Sequence, residues 1–217
     1  MFRNNKIYLQ INNLKNVFEY TITDLKQYPN VPFYSLLFDN EEIIKSFKAF
    51  VHSTIKTSTT FSSRFSKPLV FLLIPDDIMN IEKRALFDFA TVVFTAKSIF
   101  LANECAFVIQ EKIDYITISK SCRMTTISYL KDKGIAAQKF IENKDYTVDD
   151  LKRFITNLHE DCTFNRPLVY LNGLDLKHYI ELGTVVDDAT LLKNFNSMLS
   201  TIIIKGSTII TKPQRNA

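Results

Sequence analysis

Residues 69–74 carry the feature that most constrains the fold of this chain, an apolar run, Leu-Val-Phe-Leu-Leu-Ile, between Pro68 and Pro75. It is the longest uninterrupted apolar stretch, yet it is far shorter than the roughly 20 residues of a membrane span. Side chains that are apolar on both faces suit a strand that is covered on both sides. The run therefore predicts the central strand of a mixed sheet with helices on its faces, an α/β fold.

The sequence around this run predicts an alternation of strands and helices. Period-two patterns predict extended segments at 6–11, 15–22 and 33–38, the first two joined by a turn at Asn12-Asn13. Apolar residues at helical spacing predict helices over about 40–57, after an N-cap at Asp39, over about 78–93, and at 103–110. With a further strand at 98–101, the predicted order is β-β-β-α-β-α-β-α.

The second half of the chain repeats this order in a shorter form. Three strands are predicted at 114–119, 123–130 and 135–141, with a turn at 131–134. Thr147 and Asp150 form a capping pattern at the start of the next helix. A strand at 168–171, a turn at Gly173 and a helix at about 188–199 follow. The repeat predicts two related lobes, residues 1–112 and 113–217.

Composition excludes several classes of function. The chain has only four glycines, with neither a GxxxxGK[ST] nor a GxGxxG motif, which argues against the common glycine-rich nucleotide loops. Its net charge of +4 is spread evenly, so a nucleic-acid partner is not expected. The three cysteines are odd in number and widely spaced, and the three histidines are dispersed, so neither disulfides nor a bound metal is expected.

A specific likeness emerges at residues 68–110. The residues that carry this likeness are Ile74-Pro75, Ile78, Ile81-Glu82-Lys83-Arg84-Ala85, Ala90, the apolar strand at 99–101 and Asn103-Glu104. In order and spacing these residues resemble the first lobe of actin-like ATPases such as MreB and the heat-shock chaperones, although Cys105 replaces their proline. The resemblance implies an actin-like fold of tandem RNase H-like βββαβαβα lobes around an ATP cleft, with the second lobe abbreviated.

The motifs that hold ATP in that family are missing here. The first phosphate loop would fall on Gln10-Ile11-Asn12 and the second on residues 117–121, where Thr117 and Ser119 replace a carboxylate and a glycine. The adenosine motif is half kept at Gly173, and Glu104 stands where the family holds its attacking water. Without a carboxylate for magnesium or glycines beside the phosphates, neither hydrolysis nor a cofactor is expected, although Lys120 could meet a phosphate as a point charge.

Degenerate actin-like domains of about this length occur in the assembly platforms of type IV pili, including the bundle-forming pilus, and of type II secretion systems. The resemblance implies a noncatalytic scaffold at the cytoplasmic face of the bacterial inner membrane. Its partners would be the cytoplasmic secretion or pilus ATPase and inner-membrane platform proteins, and a homo-oligomer stays open. The alternative is an actin-like ATP-binding protein or ATPase, MreB-like or kinase-like, with altered phosphate loops.

The C-terminal segment allows two interpretations. Residues 201–211 are rich in Ile and Thr and precede a basic tail at 212–215. A membrane helix beyond Ala217 would place that tail on the cytoplasmic side. The other interpretation is a terminal hairpin strand with a solvated tail.

The sequence also suggests roles for four individual side chains. Phe61 and Phe65, in a Ser/Thr-rich loop at 58–67, could anchor a protein partner or tuck under the loop. Glu104 could keep a catalytic role inherited from an active ATPase. The simpler expectation is that its carboxylate lies at the N-terminus of a helix and interacts favourably with the helix dipole. Cys105 is expected to pack in the core.

Overall fold

The structure is a computed structural model, and it describes residues 1–3, 5–11, 16–23, 26, 28–37, 40–58, 67–132 and 134–204. The strands are β1 (Phe2–Arg3), β2 (Lys6–Gln10), β3 (Val17–Thr21), β4 (Leu69–Ile74), β5 (Ser98–Asn103), β6 (Tyr115–Lys120), β7 (Met124–Lys131), β8 (Gly134–Glu142), β9 (Leu168–Gly173) and β10 (Thr184–Val186). The α-helices are α1 (Glu41–Ser58), α2 (Asn80–Phe94), α3 (Val148–Thr156), α4 (Glu160–Phe164) and α5 (Asp188–Ile204).

The strands form three sheets. In the first half, β1, β2 and β3 pair antiparallel in that order, and β4 pairs parallel with β5. In the second half, the sheet has five strands in the order β10-β9-β6-β7-β8. In this sheet β6, β9 and β10 run parallel to one another, whereas β7 pairs antiparallel with both β6 and β8. The carboxyl ends of β4, β5, β6 and β9 thus become available to build a site.

Most predicted elements are confirmed. The β2–β3 hairpin, α1, α2, β5, the β6–β7–β8 meander, β9 and α5 all lie where the sequence predicts them. The capping box at α3 is present, because Thr147 Oγ1 accepts from the Asp150 N–H at 3.1 Å and Asp150 accepts from the Thr147 N–H at 3.1 Å. The short β1, α4 and β10 were not predicted, since elements of two to five residues show no periodicity.

Three local predictions are wrong. Residues 33–36 form a 3₁₀ turn rather than an extended piece, because Pro32 starts the turn and its carbonyl accepts from the Ser35 N–H at 3.0 Å. Within the described residues β4 pairs with β5 alone, so it is not the middle of a sheet. The predicted helix at 103–110 is only a 3₁₀ turn at Glu104–Phe107. There, the Tyr115 hydroxyl donates at 3.0 Å to the Cys105 carbonyl, which would accept the Ile109 N–H in a longer helix.

Two end predictions are also revised. The side chain of Asn40 caps α1 by accepting from the Glu42 and Ile43 N–H groups at 3.1 Å each, and the predicted cap, Asp39, lies outside the described residues. Residues 201–204 continue α5, so the hairpin strand predicted there is wrong for these four, and 205–217 lie outside the described residues. Among the residues that the structure describes, no helix combines the length and apolar character needed to cross a membrane.

Three clusters of buried apolar side chains support the sheets. One draws only on residues 2–101 and packs α1 and α2 against the first sheets, with stacked Phe47 and Phe89 rings 5.7 Å apart. Another draws only on residues 116–182. The third, which we call the shared core, joins Leu73 and Cys105 to Tyr115, Leu130 and Leu191. The division at 112/113 stays a prediction, and first lobe and second lobe below name the residues on either side of it.

Candidate functional site

The carboxyl ends of the four strands named above meet between the lobes, around a cavity of about 20 Å³. The residues that line it are Pro75, Asp76 and Asp77 after β4, Glu104 after β5, Ser119 and Lys120 of β6, Ser121 of the following turn, Thr126 of β7, and Asn172 and Gly173 of β9. A volume of this size holds about one water molecule. In other α/β proteins the carboxyl ends of the strands create a ligand site. In this chain these ends lie so close together that almost no space remains between them.

Arg3 crosses this junction from the first lobe. Its guanidinium donates to the Glu104 carboxylate, to Asp188 Oδ1 at 2.5 Å and to Asn172 Oδ1 at 3.0 Å. Asn172 Nδ2 in turn donates to Glu104 Oε2 at 3.1 Å. These four residues, the Arg3 cluster, join two first-lobe side chains to two from the second lobe. The side chains of Arg3 and Glu104 are only 10% and 4% exposed, so the pair is buried.

Burial and charge oppose each other in the Arg3 cluster. Burial disfavours the Arg3 cation, but the carboxylates of Glu104 and Asp188 outweigh it and raise the Arg3 pKa. Burial raises the pKa of the Glu104 carboxyl, against the effect of the Arg3 charge. Among the described residues, none donates a hydrogen bond to Glu104 Oε1. The cluster therefore holds its charges by pairing, at the expense of one unsatisfied buried oxygen.

Asp76 lies beside the Arg3 cluster and is also buried. Its Oδ1 accepts from the Cys105 N–H at 2.9 Å, and its Oδ2 accepts from the Ser119 hydroxyl at 2.5 Å. Burial raises the pKa of this carboxyl more than these hydrogen bonds lower it. Asp76 thus ties the end of β4 to the end of β6, across the lobes.

Arg123 makes a second crossing, from the β6–β7 turn to the first lobe. It forms a bidentate pair with Glu82 at 2.9 and 3.1 Å, and donates to the Asp77 carboxylate at 3.2 Å and to the Asp77 carbonyl at 2.6 Å. The Asp77 carboxylate also accepts from Ser121 at 2.6 Å, and Glu82 accepts from Ser35 at 3.0 Å. We call these five residues the Arg123 cluster. Glu82 also caps α2, through the Met79 N–H at 2.8 Å.

The structure brings together four of the residues predicted for the nucleotide cleft, since Glu104, Ser119, Lys120 and Gly173 all line the small cavity. Thr117 does not reach it, because it is fully buried within β6, opposite Ser128 and Tyr170. Gln10 ends β2 and is not among the described lining residues. Three other predicted residues, Asn12, Phe61 and Phe65, lie outside the described residues.

Two predicted roles are settled by contacts. Glu104 does not serve a helix dipole, because the helix predicted after it is a single 3₁₀ turn and its carboxylate pairs with Arg3. Cys105 packs in the shared core with no exposed surface, as expected. The second cysteine near the site, Cys122 in the turn between β6 and β7, is exposed.

Gly173 has a local reason to be glycine. Its φ is 115°, and a Cβ added there would lie 2.1 Å from the Lys120 carbonyl oxygen. The next residue, Leu174, donates its N–H to that same oxygen at 2.9 Å. Close contact between the ends of β9 and β6 is therefore sufficient to require glycine, without any bound adenosine.

A larger cavity of about 290 Å³ opens beside the small one. Lys120, Glu104 and Arg3 lie at its polar side. Its other walls are mainly apolar, and are formed by Phe2, Tyr28, Val31, Pro32, Phe33, Tyr34, Leu36, Pro75 and Leu174. This volume is near the lower limit of small-molecule sites. Within the described ranges, no group of three or more His, Cys, Asp or Glu side chains is arranged to hold a metal ion.

Most residues of the charged network were not predicted from the sequence. Arg3, Asp77, Arg123, Asn172 and Asp188 were not singled out. Of these residues, only Asp77 could have been predicted to lie at the site. The Asp76-Asp77 pair follows closely after the carboxyl end of a buried strand, where α/β proteins place their ligand sites. Arg3 lies in a two-residue strand, and its partners are 101 or more positions away.

No protein-family model matches the chain, and no curated protein is significantly similar to it. Among solved structures, MreB5 of Spiroplasma citri bound to ADP is similar to it with a TM-score of 0.52 and 10% identity, over 90% of this chain and 83% of MreB5. The AlfA filament bound to AMPPNP matches at 13% identity over 65% of each chain, with a TM-score of 0.40. At these identities the likeness concerns the fold, and the predicted actin-like fold is confirmed.

Proposed function

We propose that this actin-like chain is a noncatalytic scaffold, in which the protein's own ion pairs take over the cleft between the lobes. One observation carries the proposal: the Arg3 and Arg123 clusters and the Asp76–Ser119 hydrogen bond span the junction where the small cavity keeps only about 20 Å³. A bound nucleotide would have to displace these contacts, and each displaced arginine would leave buried carboxylates unpaired.

The chemistry at the strand ends supports the absence of hydrolysis. Phosphoryl transfer depends on a placed metal ion and on close approach of backbone N–H groups to the phosphates. The buried carboxylates that could approach a metal already accept hydrogen bonds from Ser119, Cys105, Arg3 and Asn172. The end of β6 and the turn after it carry Lys120 and Ser121 where close approach calls for glycine.

More specifically, we propose that the scaffold belongs to the assembly platform of a type IV pilus or a type II secretion system. It is supported by the sequence resemblance to degenerate actin-like platform domains and by a cleft that its own side chains span. In this role the chain docks the cytoplasmic secretion ATPase and links it to inner-membrane components, at the cytoplasmic face of that membrane.

Isothermal titration with the N-terminal region of the cognate ATPase tests this role. Saturable binding supports it, and the matched control is the same region from the ATPase of an unrelated secretion system. Absence of binding at high micromolar concentration would overturn the platform role.

The second candidate is an actin-like ATP-binding protein with altered phosphate loops. The 290 Å³ cavity favours it, because Lys120 lies at its polar side and could meet a phosphate. A thermal shift assay with ATP and magnesium separates the two candidates. The scaffold proposal expects no shift for the wild-type chain, whereas a rise in Tm that Lys120→Met abolishes would establish the second candidate.

A further inference from the structure

The 290 Å³ cavity has a wall of aromatic and aliphatic side chains that the scaffold role leaves unused. Phe2 and Phe33 lie on this wall with their ring centroids 6.4 Å apart, and the Tyr34 ring packs edge-on against both. Tyr28 and Val31 also line the cavity and are exposed. Apolar side chains that stay open to solvent beside a cavity are typical of a small-molecule site.

Lys120 supplies a positive charge at the polar side of this cavity. Its backbone is fixed at the end of β6, because it pairs with Thr125 of β7 on one side and with Gly173 of β9 on the other. Among the described residues, none forms an ion pair or a hydrogen bond with its half-buried ammonium group. This group is therefore available to an anionic ligand.

The charges around Lys120 limit how much negative charge such a ligand can carry. The small cavity, which Lys120 also lines, has three carboxylates in its described lining, Asp76, Asp77 and Glu104. Arg3 and Arg123 already pair with two of these carboxylates, so their charges are in use. A polyphosphate would meet several like charges and a single available cation, which is unfavourable at short range. A ligand with one negative charge avoids most of this repulsion.

The volume of the cavity limits the size of the ligand. At about 30 Å³ for each non-hydrogen atom, the share of a molecule in liquid water, 290 Å³ has room for roughly ten such atoms. This is the size of a short organic acid that carries one ring or one branched aliphatic chain.

We propose that this cavity binds a small monocarboxylate with an aromatic or branched aliphatic body. The carboxylate pairs with Lys120, and the body packs against Phe33, Leu36 and Leu174. Leu174 belongs to the second lobe and the other two apolar residues to the first. The ligand thus contacts both lobes beside the junction that the Arg3 cluster spans.

NMR titration of the isotope-labelled full chain tests the site. The probes are hydrocinnamate, isocaproate as a second acid, and hydrocinnamamide as the neutral isostere of the first. Both acids should bind with dissociation constants of about 1 mM or tighter. The amide should bind about tenfold more weakly, because it cannot form the ion pair with Lys120. Lys120→Met should weaken both acids about tenfold and leave the amide unchanged, which also shows that the variant is folded.

Lys112→Met is the matched control, because it removes the same charge from an exposed lysine outside the described lining of the cavity. It should leave all three dissociation constants unchanged. If neither acid binds at about 10 mM, or if the wild-type chain binds acid and amide equally well, the proposal is overturned.

The thiol of Cys122 gives a second measurement, which locates the ligand in the wild-type chain. Cys122 lines the cavity and is exposed, whereas Cys105 and Cys162 are buried. At about ten times its dissociation constant, hydrocinnamate should slow the alkylation of Cys122 by iodoacetamide roughly tenfold. The amide at the same concentration should slow it only about twofold. Bound acid that leaves Cys122 unprotected lies elsewhere, and this outcome overturns the proposal.

The inference does not rest on the scaffold proposal, because docking of the ATPase plays no part in it. If the acids do not bind but ATP and magnesium raise the Tm in a way that requires Lys120, the cavity is a nucleotide site and the monocarboxylate proposal is overturned. Binding of the acids together with no ATPase binding would overturn the platform role alone.

Discussion

The Arg3 cluster and the Arg123 cluster both join the lobes through one arginine and two carboxylates, but they satisfy these charges unequally. Arg123 binds both oxygens of Glu82 and a backbone carbonyl, and Asp77 has a serine partner as well. In the Arg3 cluster, Glu104 Oε1 finds no donor among the described residues, although the Glu104 side chain is only 4% exposed. The Asp188 side chain, by contrast, is 31% exposed.

This difference distinguishes two ways of holding the lobes together. A buried pair with unsatisfied atoms contributes little net stability, yet losing one of its partners is costly because a charge is stranded. The Arg123 cluster is buried as well, with the Asp77 and Glu82 side chains 2% and 9% exposed, but its carboxylates have donors other than the arginine, namely Ser121, Ser35 and the Met79 N–H. The Arg3 cluster should therefore be the more sensitive of the two to substitution.

Arg3→Met should have the largest effect. It strands the buried Glu104 carboxylate, and we expect the free energy of unfolding to fall by about 3–5 kcal/mol, measured by urea denaturation. The double variant Arg3→Met/Glu104→Gln removes the stranded charge and keeps an amide beside Asn172. It should be more stable than Arg3→Met alone, and a double variant that is less stable would contradict the stranded-charge explanation.

Arg123→Ala should have an intermediate effect, a loss of about 2 kcal/mol in the same measurement, because Asp77 keeps the Ser121 hydroxyl as a donor and Glu82 keeps Ser35 and the Met79 N–H. Arg123→Lys serves as the control. Lysine keeps the charge but cannot form the bidentate pair with Glu82, so it should recover only part of the loss. If Arg123→Ala were as damaging as Arg3→Met, the ranking of the two clusters would be wrong.

Asp76→Asn should have the smallest effect, and one that depends on pH. The amide keeps both contacts, accepting from the Cys105 N–H and donating to Ser119, so near pH 4 its stability should lie within about 1 kcal/mol of wild type. Burial raises the folded-state pKa of Asp76 above its ordinary value of 3.8. The folded state then keeps a proton that the unfolded state releases, and wild-type stability falls as pH rises through this window.

Relative to wild type, Asp76→Asn should therefore gain stability as pH rises from about 4 towards the raised folded-state pKa. Thermal unfolding of the two proteins over this range measures the difference. A difference that stays constant with pH, or that changes in the opposite direction, would contradict the raised pKa.

The parts of the fold that could be predicted from the sequence are those encoded by neighbouring residues. The apolar run of β4, the alternation in β6 and the Thr147–Asp150 capping box are all local patterns, and each was found. The 3₁₀ turn at Glu104–Phe107 was missed because the Tyr115 hydroxyl, from elsewhere in the chain, donates to the Cys105 carbonyl that a longer helix would use. Propensity cannot anticipate such contacts.

The candidate site divides in the same way. The resemblance located Glu104, Ser119, Lys120 and Gly173 at one junction, because a shared fold fixes where strand ends meet. It gave no indication of what fills that junction. Arg3 and Arg123 are ordinary charged residues in sequence, and their burial beside distant carboxylates becomes visible only in three dimensions.

The shared core has a consequence for how the molecule comes apart. Leu73 and Cys105 on one side of the 112/113 division pack with Tyr115, Leu130 and Leu191 on the other. Cutting the chain at the division would expose this apolar surface on both fragments, and neither could replace what it lost. The two halves should thus melt together in a single cooperative transition, so that neither behaves as an autonomous folding unit.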